Sequence, residues 1–259
     1  MHPYQIAILY SLALFAGLMI FLEFGFRLGR RRAAQPHLMS AHEGIGAIEA
    51  AVFGLLGLLL GFSFAGGASR LDTRRDLIVS EANAIGTAYL RLDLLPAEAQ
   101  PEMRRLFGQY LDTRLQAYRM LPDLKLAQQN FALAEEIQQK IWSNAITASR
   151  ADSTQNVARV LLPALNDMID VTTNRAVAMR THLPGLILNL LVFVALLSGI
   201  LAGYAMSKRE KRSVIHMLIY AAVIALTVYA VADLDHPRSG LIRLEAADNA
   251  LVKLRQSIR

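Results

Sequence analysis

Hydrophobic and polar positions divide the chain into four long apolar stretches and one region of helical periodicity lying between the second and the third. The stretches run approximately from Tyr4 to Phe26, Gly44 to Ala68, Pro184 to Met206 and Val214 to Ala232. Crossing about 30 Å of hydrocarbon takes about 20 mostly apolar residues at 1.5 Å rise each, and every stretch meets that length. Each predicts a transmembrane helix. The first has no basic segment before it and arginines after it, so it reads as a retained helix rather than a signal peptide.

The region between the two hairpins is helical in pattern, with breaks at Leu95-Pro96, at Leu121-Pro122 and from Ser149 to Ser153. Leu71, Ile78, Ile85 and Leu92 recur every seven residues, with Ala88 and Leu95 on adjoining positions, which makes a seam for packing on another helix. This helix is expected to continue straight out of the second span. Met103, Leu106, Tyr110, Ala117 and Leu121 mark a second helix, and Ala127, Ala134, Ile137, Ile141, Ala145 and Ala148 a third. Val157 to Val171 marks a fourth, expected to run into the third span through a bend near Pro163. The predicted fold is an all-α membrane protein with four transmembrane helices in two hairpins flanking a helical-bundle insert. Its parts are residues 1–68 (first hairpin), 69–183 (insert), 184–232 (second hairpin) and 233–259 (a turn and a helix packing on the insert).

Composition agrees with a membrane protein: 54% of the 259 residues are hydrophobic, 19% are charged, and mean hydropathy is +0.34. The net charge of +6 does not point to nucleic acid, because the basic residues gather at membrane edges. Arg27, Arg30, Arg31 and Arg32 sit in one short link, and Lys208, Arg209, Lys211 and Arg212 in the other. By the positive-inside rule both links are cytoplasmic, which puts the insert and both termini outside the cytoplasm of a bacterial inner membrane. The insert carries 14 Lys plus Arg against 13 Asp plus Glu and does not pull the other way. With no cysteine there is no disulfide, thiol nucleophile or thiolate metal site.

The second span holds the strongest functional candidates. Gly46, Gly54, Gly57 and Gly61, with Ala50, share one helical face, and such faces pack membrane helices closely. The opposite face, with Phe53, Leu56, Leu60, Ser63 and Phe64, is the candidate lining or constriction of a pore. Glu23 and Glu49 lie near span ends, where they suit either an interfacial ion pair with Arg27 or a neighbour, or a cation site or proton-responsive group. In the insert, Glu81 falls on the apolar seam and needs a partner. Arg74, an arginine of another helix and Asn83 are the candidates for a polar network around it. After the fourth span, Asp233 and Asp235 stand before a Pro and Gly turn, where they suit either a helix stop or, with added ligands, calcium. The six histidines, among them His2, His37, His42, His182, His216 and His236, show no ligand spacing that one helix brings together. No phosphate-binding glycine loop, HExxH motif or nucleophile elbow is present, so an enzyme is not expected.

The run from Leu55 to Phe64 (LLGLLLGFSF), the run from Glu81 to Arg91 (EANAIGTAYLR) and the Asp-containing turn before Pro237 together resemble the bacterial DUF4239 family, often labelled bestrophin-like. The resemblance covers most of the chain. It implies a homo-oligomer, a pentamer by analogy, that conducts small ions through a pore lined by the second span, and it makes Asp233 and Asp235 the positions matching a calcium clasp. It also implies an insert and termini in the cytosol, opposite to the side the arginines indicate. The alternative is a non-conducting sensory or scaffolding protein whose extracytoplasmic helical domain binds a ligand or partner.

Overall fold

A computed structural model describes residues 3–33, 45–121, 123–152, 155–207, 213–238 and 240–258, and these are helical with no strand among them. The cations Lys208, Arg209, Lys211 and Arg212, and His2, His37, His42 and Gly44, lie outside the described residues. Eight α-helices follow in order: α1 Pro3–Ala33, α2 Ile45–Leu90, α3 Gln100–Arg119, α4 Leu124–Ala151, α5 Leu162–Arg180, α6 Gly185–Met206, α7 Val214–Asp235 and α8 Glu245–Ser257. A 3₁₀ turn, Arg91–Leu94, follows α2, and a π-helical turn, Val157–Leu161, precedes α5. Four helical stretches are long and apolar enough to cross a membrane. The chain splits into two compact units, one of Met1–Arg70 with His182–Ile242 and one of Leu71–Thr181 with Arg243–Arg259. Helix α2, 46 residues long, contributes to both.

The first unit is held by α1 against α6 and α7. Leu14, Leu18 and Leu22, four residues apart and therefore on one helical face, are buried with Leu191, Val194 and Ala195 of α6 and Ala221 and Val228 of α7. Lipid offers no hydrophobic force between helices, so close backbone approach does the work. A Cβ on Gly25 would fall on the main chain of Ile200, and one on Gly203 on the main chain of Leu22 and Phe26. Gly17 meets Leu196 and Gly29 meets Ser207, so α1 and α6 run parallel and the starts of both basic links come to the same end of the unit. Helix α2 joins this core through Leu56, with Val52, Leu59 and Leu60 at its margin.

The second unit buries the seven-residue seam, Leu71, Ile78, Ile85 and Leu92, together with Ala88 and Leu95. Met103, Phe107 and Tyr110 of α3, Ile141 and Ala145 of α4, and Leu165 and Met168 of α5 are buried too. Helix α4 starts where the Asp123 carboxylate accepts the N–H groups of Lys125 and Leu126, a side-chain cap for two orphan donors. Helix α8 belongs here: Leu251 is buried, Leu254 lies against Gly86, and Arg255 donates to both carboxylate oxygens of Asp112 at 2.8 and 2.9 Å.

One expectation is corrected. The helix containing Pro163 does not run on into the third span, because α5 ends at Arg180 and α6 starts at Gly185. Pro184 is the cause: it disfavours helical backbone at Leu183, and the Leu183 N–H turns instead to the Asp235 carboxylate at 3.0 and 3.2 Å.

Candidate functional site

Along the membrane part of α2 the two long faces differ in what they meet. Leu56 and Ser63 are buried within the first unit, and Gly67 meets Leu234 of α7. Phe53 meets the Tyr220 ring edge-on at 6.4 Å, and Tyr220 in turn shares a 2.6 Å hydrogen bond with Ser198 of α6. Phe53, Leu56, Leu60, Met206, His216 and Tyr220 help line a cavity of about 570 Å³ between α2, α6 and α7. On the glycine face, a Cβ on Gly46, Gly54 or Gly61 would meet no atom of the described residues within 4 Å, and Gly57, equally open, borders the cavity beside Phe53 and Leu60. Leu58 and Phe62 are exposed on that side, Phe62 to 69%, and Phe64 to 48%. Among the described residues of one chain, then, Leu56 and Ser63 face inward, while Gly54, Leu58, Gly61 and Phe62 face outward.

At the far end of α7 the chain reverses around two carboxylates. Asp233 accepts the backbone N–H groups of Leu241 at 3.1 Å to each oxygen and of Ile242 at 2.9 Å. Gly240 passes so near that a Cβ there would collide with this carboxylate. Asp235 accepts from the Arg70 Nε at 2.9 Å and from the Leu183 N–H, and its Oδ2 lies 3.3 Å from the His182 Nδ1. The rings of His182 and His236 stack at 4.8 Å and 12°. Calcium takes six to eight oxygen ligands, whereas the groups around both carboxylates are mainly N–H donors. Among the described residues, the acidic and imidazole groups that converge are His182, Asp235 and His236, without Asp233.

The second unit contains a buried ionic cluster. Glu81, with no exposed surface, pairs with Arg114 of α3 at 2.7 Å and with Arg175 of α5. Tyr118 bonds the Arg114 guanidinium, and its ring carries Arg175 at 4.0 Å from the centroid. Burial works against the Arg114 charge, but Tyr118 and Glu81 beside it raise its pKa above the usual arginine range. Burial pushes the neighbouring Tyr110 hydroxyl upward as well. Arg74 and Asn83 lie outside this cluster. Arg74 donates to the carbonyls of Ala178 and Thr181 at the C-terminal end of α5, and Asn83 is exposed. Arg114 and Arg175 carried no individual signal in the sequence, since both sit among other arginines on helices whose facing was undetermined. Glu23 pairs with Arg27 at 2.8 Å, one turn on.

A family model for the Bestrophin-like domain matches residues 8–248. The chain belongs to the bestrophin-like family. Among solved structures, a point variant of a bacterial bestrophin homologue from Klebsiella pneumoniae is similar at a TM-score of 0.67 and 14% identity, covering 93% of this chain and 97% of that one. A second variant of a bestrophin homologue from the same organism gives 0.66 and 16%, covering 97% and 98%. A crystal structure described as a membrane protein gives 0.68 and 16% over the same shares. At such identities the likeness concerns the fold. No curated protein matches the chain. Bestrophin-like membership and the four apolar helical stretches together make this a multi-pass membrane protein.

Proposed function

We propose that this bestrophin-like protein is a homo-oligomeric ion pore of a bacterial inner membrane, with α2 nearest the axis. The observation that carries the reading is the open face of α2. Gly54, Leu58, Gly61 and Phe62 lie opposite Leu56 and Ser63 and stay exposed among the described residues, although this helix meets α7 on the other side through Phe53 and Gly67. A ring of such helices places an apolar, small-residue surface around an axis, the type of constriction that can gate by dewetting. The pore face is therefore assigned to the glycine side rather than to Leu56, Leu60 and Ser63. Family membership supports small ions as cargo and favours a pentamer. Asp233 acts in this reading as a clasp on the turn after α7, and the two basic links are cytoplasmic, with the second unit and the termini on the other side.

The test is conductance of the purified protein in planar bilayers, joined to thiol labelling of single cysteines. Current through a stable oligomer, with labelling at L58C and G61C but not at L56C or S63C, is expected. A stable oligomer that passes no current at any salt or pH sinks the pore and leaves the scaffolding alternative. Labelling of L56C and S63C alone would return the axis to the other face. A tag on α8 that is accessible only from the cytoplasm would reverse the orientation.

A further inference from the structure

We propose that the cavity between α2, α6 and α7 binds one acyl chain of an anionic phospholipid. Phe53, Gly57 and Leu60 line it from α2, Met206 from α6, and Ile219 and Val223 from α7. A buried water needs about two to four polar partners, and this wall offers almost none. The Tyr220 hydroxyl is already taken by Ser198 at 2.6 Å, and the His216 Nδ1 by the Ser213 hydroxyl at 2.5 Å. The occupant is therefore apolar. Ile219 and Val223 are each 58% exposed among the described residues, so the cavity opens sideways, onto the surface that a membrane helix turns to lipid.

The depth of the cavity matches one leaflet. Its lining runs from His216 to Ile224 on α7 and from Phe53 to Leu60 on α2, about 10–12 Å of helix at 1.5 Å per residue, against about 30 Å of hydrocarbon. It starts at the end of the unit where α6 stops and α7 begins. A helix of a second copy is about 10 Å across and runs the whole span, so it does not fit a recess confined to one half of the bilayer. An acyl chain lying along the helices does. The volume of about 570 Å³ is within the range of about 300–1,000 Å³ usual for ligand cavities. Charge at the same end selects the headgroup. Helix α1 runs parallel to α6 and ends there with Arg30, Arg31 and Arg32 exposed, beyond the pair of Glu23 with Arg27. Cations at a membrane surface attract anionic lipid, and Glu49, one turn before Phe53 on α2, is outnumbered by them. The chain would fill the space that separates α2 from α6 and α7, whether or not the protein conducts.

The experiment incubates the full chain, extracted in mild detergent, with mixed vesicles of phosphatidylcholine and phosphatidylglycerol and returns it to detergent. Native mass spectrometry then counts the phospholipids that each chain retains. One per chain is expected, with phosphatidylglycerol favoured. A Cβ on Gly57 would meet no atom within 4 Å, so G57L grows into the cavity without collision and is expected to lose the lipid. V223F, at an exposed lining position, gives the same loss if G57L aggregates. L226F, on α7 but outside the lining, retains the lipid, and R31Q/R32Q retains it without the preference for phosphatidylglycerol. Gel filtration confirms that each variant keeps its assembly. The proposal is overturned if the wild-type chain retains no phospholipid, the outcome expected when a side chain of a second copy fills the cavity, or if G57L and V223F retain as much as wild type. Retention without headgroup preference overturns the anionic assignment.

Discussion

The two units of this protein solve helix packing in opposite ways. In the first, the polar side chains buried within the spans are uncharged, Ser63 and Ser198 among them, and α1 meets α6 through Gly25 and Gly203 with main chain against main chain. In the second, the centre is ionic: Glu81 is fully buried between two arginines, with Tyr118 bonded into the same cluster. The solvent explains the contrast. Surrounded by lipid, apolar side chains gain little by leaving their environment, so association depends on short backbone distances. In water, burial of Leu, Ile and Phe drives collapse regardless of detail, and a directional cluster is what selects one register among many.

That contrast can be broken most sharply at Glu81. E81A strands two arginines in a buried site and is expected to lower stability by about 3–5 kcal/mol, read as a fall in the thermal midpoint of the detergent-solubilised protein. If the cluster serves specificity more than stability, E81M/R114M/R175M restores the midpoint or raises it by about 1–4 kcal/mol while broadening the amide spectrum of the second unit. A lowered midpoint with a sharp spectrum would instead make the ions net stabilisers. In the first unit, G203A forces α1 and α6 apart at an expected cost of about 1–3 kcal/mol. G61A, on the open face of α2, should leave the midpoint of the single chain within about 0.5 kcal/mol; an equal loss in both would mean that glycine content, rather than close approach, matters. The smallest effect is expected for R255A. Its pair with Asp112 is half exposed, worth about 0–1 kcal/mol and weakened by salt.

The local order was readable because hydrophobic period and length are properties of short segments. The four spans, the helical insert and the buried seam from Leu71 to Leu92 all belong to that class. What resisted reading depended on rotation about a helix axis or on distant segments meeting. Arg74 stands seven residues before Glu81 and seemed its natural partner, yet the carbonyls ending α5 hold it, and no spacing along α2 announces that. The break before α6 is present in the sequence as Pro184, whereas the bend was expected near Pro163. On α2, small and large residues were separable by face, whereas which face the chain itself covers is settled only by the location of α7. His182 and His236 carried no joint signal, because their stacking exists only once α7 has returned to the link before α6.

The reversal clasped by Asp233 has a consequence in time. The second unit is made of two pieces of sequence, Leu71–Thr181 and Arg243–Arg259, with both helices of the second hairpin synthesised between them. Leu251, which the finished unit buries completely, leaves the ribosome after α7. Synthesis therefore completes all four apolar stretches before the second unit has α8, and the partial bundle of the second half of α2 with α3, α4 and α5 must wait, with the groove for α8 uncovered, until α7 has been made.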